Sequence, residues 1–151
     1  MNWSLRPTRL ADVRAVAASM REIDRMECAA LGKTPKQSLY HGWKRSTWCL
    51  TALYRGHPAA IFGVVPTNAI CDVAAPWMLC TDEARFGARA LVAMGPSLIK
   101  AMHDHWGHLE NMVGAENRRA IRLLQKLGFV VENEIVVIGD LPMRKFWRKA
   151  R

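Results

Sequence analysis

Apolar residues recur at helical spacing in a few long stretches of this chain and at strand spacing in several shorter ones. In "DVRAVAASMREIDRMECAALG", Val13, Val16, Ala17, Met20 and Ile23 fall on one side, which predicts a helical region that Asp12 caps and Gly32 and Pro35 end. "KQSLYHGWKRS" predicts a shorter helix or an irregular segment. Two strands follow, Thr47 to Tyr54 and Ala59 to Val65, joined by an Arg-Gly-His-Pro turn into a hairpin. "NAICDVAAPWMLCT" is apolar enough for a buried strand centred on Trp77 to Cys80, and Pro76 is expected to break any earlier strand.

Farther on, "DEARFGARALVAMGPSLIKAMHDHWG" predicts helix, with Gly95-Pro96 marking a kink or a division into two helices. "HLENMVGA" returns as a strand. In "GAENRRAIRLLQKLGF", Asn117 caps a helix whose apolar side is Ala120, Ile121, Leu124 and Leu127, and Gly128 ends it; Arg118, Arg119, Arg122 and Lys126 form the solvated side. Strand-like "FVVENEIVVIG" and a last strand at Met143 to Trp147 close the order. Early helices, a hairpin, then strand-helix-strand-helix-strand-strand predict an α/β (α+β) fold with a mixed central sheet flanked by helices. Within it, Trp77–Cys80 and Leu109–Val113 should lie side by side in parallel, connected through the helical region 85–106.

The length of 151 residues, half of them hydrophobic, suits one domain and one core. The first residues lack a secretory apolar run and no segment is long enough to span a bilayer, so the expectation is a cytoplasmic protein without membrane insertion. Cys28, Cys49, Cys71 and Cys80 are widely separated and read as reduced structural thiols; His103 and His105 are poorly spaced for a shared metal, so no metal is expected. A formal charge of +9 favours nucleic acid, an acidic protein surface or a phosphate-bearing ligand without choosing among them. In "PMRKFWRKAR", cations surround Phe146 and Trp147, a pattern that fits either an RNA or single-stranded DNA surface or an edge strand with a solvated tail.

The order of elements and the phrase "NRRAIRLLQKLGF" resemble the GCN5-related N-acetyltransferase (GNAT) superfamily, whose last conserved helix commonly begins after Asn and ends before Gly-Phe. "LRPTRLADVRAVAASM" looks like that superfamily's opening strand and helix. More narrowly, "MREIDRMECAALG", "AIFGV", "PWMLCT" and the Asn117 helix resemble acetyltransferase-like proteins of tailed phages and prophages, including internal virion proteins. The resemblance implies a single GNAT-like domain over 1–151 with a flexible basic end at 148–151. It implies acetyl-CoA or coenzyme A as cofactor and an amine as acceptor. It places the protein in the cytoplasm of a bacterial host or in the phage virion among other virion proteins.

The family holds the pyrophosphate of acyl-CoA at the start of the central helix, where free N–H groups and the helix dipole favour an anion. By resemblance that site is Arg85 to Ala90, "RFGARA": Arg85 and Ala90 keep the pattern, Ala88 replaces its middle glycine, and Gly87 lies one place away. The turn around Gly95 is a second register. Leu79 and Cys80 would flank pantetheine, with Arg89, Asn117 and Arg122 also near the cofactor. The family's frequent tyrosine on the last helix corresponds to Leu124, which cannot act as an acid. Glu110 and Asp72 remain candidate bases, and Cys80 a group facing the acyl path. Three readings stay open: an acyltransferase, a noncatalytic virion or assembly module, and a basic nucleic-acid-binding domain.

Overall fold

A computed structural model describes residues 2–151. Eight strands form one sheet in the order β1 (Trp3–Pro7), β2 (Cys49–Tyr54), β3 (His57–Asn68), β4 (Val73–Cys80), β5 (His108–Gly114), β8 (Leu141–Lys149) and β6 (Val130–Val131), with β7 (Val136–Ile138) also pairing β8. Among the described residues only β4 and β5 are parallel; every other pair is antiparallel. Helices α1 (Leu10–Ala18), α2 (Glu22–Ala30) and α3 (Pro35–Arg45) precede the hairpin, α4 (Ala88–His103) crosses from β4 to β5, and α5 (Arg118–Lys126) follows β5. This is the expected mixed sheet flanked by helices.

Alternation along the strands divides the interior into two cores. Val64, Ala74, Leu109, Val113 and Phe146 pack with Ile99 and Met102 of α4 and Ile121 of α5. On the opposite face, Ile61, Trp77 and Leu79 meet Val13, Val16, Cys28 and Leu39 of the first three helices. Both periodicities read from the sequence, two for strands and about 3.6 for helices, therefore aim at one sheet.

Several boundaries differ from expectation. The first helical region is two helices, because Met20 leaves the helix to bridge Thr81 and Arg21 N–H donates to Cys80 O at 2.9 Å. Asp12 is not the cap residue but lies inside α1, where its carboxylate accepts from Arg9 N–H, Thr51 Oγ1 and Arg6. "KQSLYHGWKRS" belongs to a regular helix capped by Thr34, whose Oγ1 accepts from Gln37 N–H at 3.1 Å. The hairpin turn is shorter than expected: Arg55 and Gly56, both at positive φ, make it, so β3 already begins at His57.

Pro76 does not interrupt β4. Cys80 turns its N–H and C=O away from β3, toward Asp24 and Arg21, and Pro76, four residues earlier, shares that orientation. Its missing N–H thus falls where no ladder bond to β3 is required. α4 likewise runs as one helix through Gly95-Pro96: Val92 and Pro96 are both exposed, so the Val92 carbonyl freed by proline faces water, while Gly95 is buried against Leu127. "FVVENEIVVIG" is split into β6 and β7, and the last strand is longer than expected, reaching from Leu141 to Lys149.

Candidate active site

β4 and β5 pair only at Val73↔His108 and Ala74↔Leu109, then diverge toward their carboxyl ends. Across the gap Asn111 Nδ2 donates to Pro76 O at 2.9 Å. A cavity of about 420 Å³ occupies the fork, within the size range of small-molecule sites. Its walls come from both sides of the sheet: Cys28 and Gly42 from α2 and α3, Leu91 and Ile99 from α4, and Leu124 from α5. The space is continuous through the sheet, and apolar side chains dominate its α4–α5 side.

Helix α2 closes the fork with two carboxylates one turn apart. Asp24 Oδ2 accepts from the N–H of Cys80, the last residue of β4, at 2.8 Å, and Glu27 Oε1 accepts from Gly114, the last residue of β5, at 2.9 Å. Asp24 is buried and paired with Arg21 at 2.7 Å. Glu27 has no cation partner; Asn117 Nδ2 donates to the same Oε1 at 3.3 Å, leaving Oε2 without a partner among the described residues. Burial pushes the Glu27 carboxyl above its usual range, outweighing the bonds from Gly114 and Asn117.

The expected site residues are distributed unevenly around this cavity. Leu79, Cys80 and Asn117 line it. Burial pushes the Cys80 thiol up to about 12, so it stays protonated. Asn117 both caps α5, accepting from Ala120 N–H at 3.4 Å, and braces Glu27. Arg122 is exposed on the outer side of α5 with Arg118, Arg119 and Lys126. Glu110 lies outside the cavity walls, between His108 Nε2 at 2.9 Å and Lys145 Nζ at 3.4 Å. Asp72 stands at the amino ends of β4 and β5, accepting from Gly107 N–H at 2.8 Å in a turn with φ 59°. It is eight residues before Cys80, roughly 25 Å along a strand, and its carboxylate serves the turn.

The segment from Arg85 to Ala90 joins a 3-10 helix, Asp82–Phe86, to the first turn of α4. Gly87 is packed against Trp3, and Gly87 and Ala90 border a separate cavity of about 40 Å³. The main cavity meets α4 at Leu91, one turn inside the helix. No side chain caps α4, and Leu91 N–H is already bonded to Gly87 O; the preceding amides of Ala88, Arg89 and Ala90 are the unpaired start of the helix. Arg85 and Arg89 are exposed there. None of Arg85, Gly87, Ala88, Arg89 and Ala90 lines the main cavity.

Asp24 and Glu27 were not among the residues expected from sequence. The available signal was their position: Asp24 interrupts an apolar stripe between Met20 and Cys28, where a carboxylate is rarely buried without a task. Among the described residues no three His, Cys, Asp or Glu side chains are grouped to hold a metal, and no helix is long and apolar enough to cross a membrane.

No family model matches the chain, and no curated protein sequence matches it. Solved structures do. A GNAT-family acetyltransferase from Streptococcus pneumoniae aligns over 99% of both chains with a TM-score of 0.64 and 15% identity. The spermidine N-acetyltransferase of Vibrio cholerae, in complex with CoA and spermine, aligns over 98% of this chain and 95% of its own, with a TM-score of 0.67 and 15% identity. The aminoglycoside acetyltransferase AAC(6')-Ib in complex with coenzyme A aligns over 97% of this chain and 94% of its own, with a TM-score of 0.64 and 15% identity. At such identity the likeness speaks for architecture, and the chain has the fold of the GCN5-related N-acetyltransferases.

Proposed function

We propose that this protein is an acyl-coenzyme A dependent N-acyltransferase acting on an amine. The observation that carries the reading is the fork between β4 and β5 with its through-sheet cavity, which gives a thioester and an amine separate approaches to one point. Arg85, Gly87, Ala88, Arg89 and Ala90 would hold the pyrophosphate with the free amides of α4 and the two guanidiniums, and Leu79 and Cys80 would flank the pantetheine arm. Bound acyl-CoA supplies an activated acyl carbon.

Glu27 is assigned as proton acceptor in place of Glu110 and Asp72. It lines the cavity, keeps one oxygen unpartnered and has a raised pKa, the combination a general base needs near neutral pH. As the amine nitrogen forms its bond to the acyl carbon, the carbon–sulfur bond breaks; the amine proton passes to Glu27 and from there to solvent or the departing sulfur. The products are an amide and a free thiol. Asn117 orients the base. Cys80, protonated, is assigned a wall rather than a nucleophile, and Leu124 provides no acid for the leaving group.

A second reading, a noncatalytic module, draws on Leu124, on Ala88 in place of the expected glycine and on the 3-10 helix that stands before α4; its place in a phage particle rests on the sequence resemblance alone. Calorimetric titration with coenzyme A and acetyl-CoA separates the two, with Arg85→Glu, Arg89→Glu as control. Micromolar binding weakened by charge reversal supports the transferase. No heat up to roughly millimolar ligand, about −4 kcal/mol in standard free energy, favours the module.

A further inference from the structure

The α3 wall of the cavity has a charge pattern that bears on the acceptor. Ser38, His41, Gly42 and Arg45 follow helical spacing, so one face of α3 lines the cavity, and Lys33 joins it from the preceding turn. Neither Lys33, His41 nor Arg45 takes part in an ion pair among the described residues. Of the three charged residues on the α2 wall, Arg21 and Asp24 neutralise each other at 2.7 Å and Glu27 is left over. The cavity therefore offers one carboxylate without an ion-pair partner on the α2 wall beside the fork and two such cations, with an imidazole, on the neighbouring α3 wall, where His41 and Arg45 are exposed.

A bare polyamine entering this space finds one favourable charge and two repulsive ones. A molecule with an amine at one end and an anion at the other satisfies both walls. From Lys33, whose N–H donates to Cys28 O at the end of α2 at 3.1 Å, to Arg45 at the far end of α3 the wall spans about 18 Å, so a cation is available to an anion several atoms from the amine. We propose that the acceptor is a small primary amine bearing a carboxylate or phosphate, its nitrogen directed to Glu27 and its anion to the cationic α3 wall that runs from Lys33 to Arg45. This assignment rests on the acyl-transfer reading for its chemistry, but the charge pattern exists independently of it.

Two measurements keep the proposals apart. In the first, the protein alone is titrated by thermal shift with glutamate, phosphoethanolamine, ethanolamine and spermidine. Stabilisation by an anionic amine and none by ethanolamine supports the acceptor class, with glutamate against phosphoethanolamine deciding between carboxylate and phosphate. Equal or greater stabilisation by spermidine, or no shift with either anionic amine, overturns it. In the second, thiol release from acetyl-CoA is followed with the same amines. The expected kcat/KM is at least about tenfold higher for an anionic amine than for ethanolamine. Lys33→Glu, Arg45→Glu should raise the acceptor KM by about tenfold or more and leave the Kd for coenzyme A within about twofold. Charge reversal that weakens coenzyme A and spares acceptor KM assigns these cations to the cofactor and refutes the proposal. Stabilisation by an anionic amine without any coenzyme A binding retains the acceptor site and rejects acyl transfer.

Discussion

Asp12 is a buried carboxylate and Glu27 a half-buried one, and pH acts on them in opposite senses. Burial raises the Glu27 pKa above its ordinary value, so between those two values the folded chain holds a proton that the unfolded chain has released. Its contribution to stability is full below the ordinary carboxylate pKa and is lost as pH rises through the raised one. Glu27→Gln keeps an oxygen for Gly114 and Asn117 and removes the charge; its Tm at pH 7.5 should equal or exceed the parent's, with the gain vanishing near pH 4. Turnover should fall by about a hundredfold or more. Thermal melts and thiol release check both, and a lower Tm at pH 7.5 with turnover preserved would remove Glu27 from the mechanism. For Asp12, burial pushes the carboxyl up, but the bonds from Arg6, the Arg9 amide and Thr51, with the Arg6 charge, outweigh it and hold the group below its usual range. That stabilisation is present above the unfolded pKa and disappears as pH falls through the lowered one. Asp12→Asn leaves the Arg6 guanidinium without its carboxylate and should cost about 2–4 kcal/mol at pH 7 by urea unfolding, with the cost shrinking as pH falls below the ordinary carboxylate pKa.

At the scale of elements, the site is made by what β4 and β5 fail to do. Two paired positions hold the strands at their amino ends, and Asn111 spans the widening gap to Pro76 O while its Oδ1 accepts from Met112 N–H at 2.8 Å. Asn111→Ala strands a carbonyl and an amide in the fork and should lower stability by about 1–2 kcal/mol, read from the urea midpoint; an unchanged midpoint would mean that water replaces the bridge without loss. Apolar runs bounded by turns made the β4–α4–β5 crossover legible, and the Asn117 cap and Gly128 stop framed α5 because those signals are local. The break between α1 and α2 was not legible, since helical spacing continues across it and its cause is Thr81, sixty-one positions from Met20. Pro76 misled for a related reason: proline forbids a ladder bond only on the side its nitrogen faces, and nothing near it in sequence reveals that this side is the fork. The site was legible only in part. Leu79, Cys80 and Asn117 line the cavity, whereas Asp24 and Glu27 become site residues through Cys80 and Gly114, partners fifty-six and eighty-seven positions away.

For the molecule as a whole, the charge of +9 creates attraction for any polyanion, and the question is whether a built surface directs it toward nucleic acid. Near the carboxyl end two of the five cations, Arg144 and Lys145, are committed to the fold. Arg144 donates to the carbonyls of Val131 and Glu132 and to Asn133, Lys145 pairs with Glu110, Phe146 is in the core and Trp147 stacks on His108. The aromatic face that single-stranded bases would need is thus partly consumed. Arg118, Arg119, Arg122 and Lys126 remain as an exposed row on α5, a charge pattern without base-reading groups. Binding through about four such phosphate contacts follows counterion release and should weaken by about a hundredfold between 50 and 200 mM salt. Coenzyme A, if held as proposed in part by the apolar cavity and by helix amides, should lose less than about tenfold over the same range. Fluorescence anisotropy with a labelled DNA duplex and calorimetry with coenzyme A, run at matched salt, measure the two slopes. A DNA affinity that survives 200 mM salt and differs between sequences would show a specific interface and overturn the assignment of the charge to long-range attraction alone; a steep, sequence-independent slope assigns the charge to long-range attraction alone.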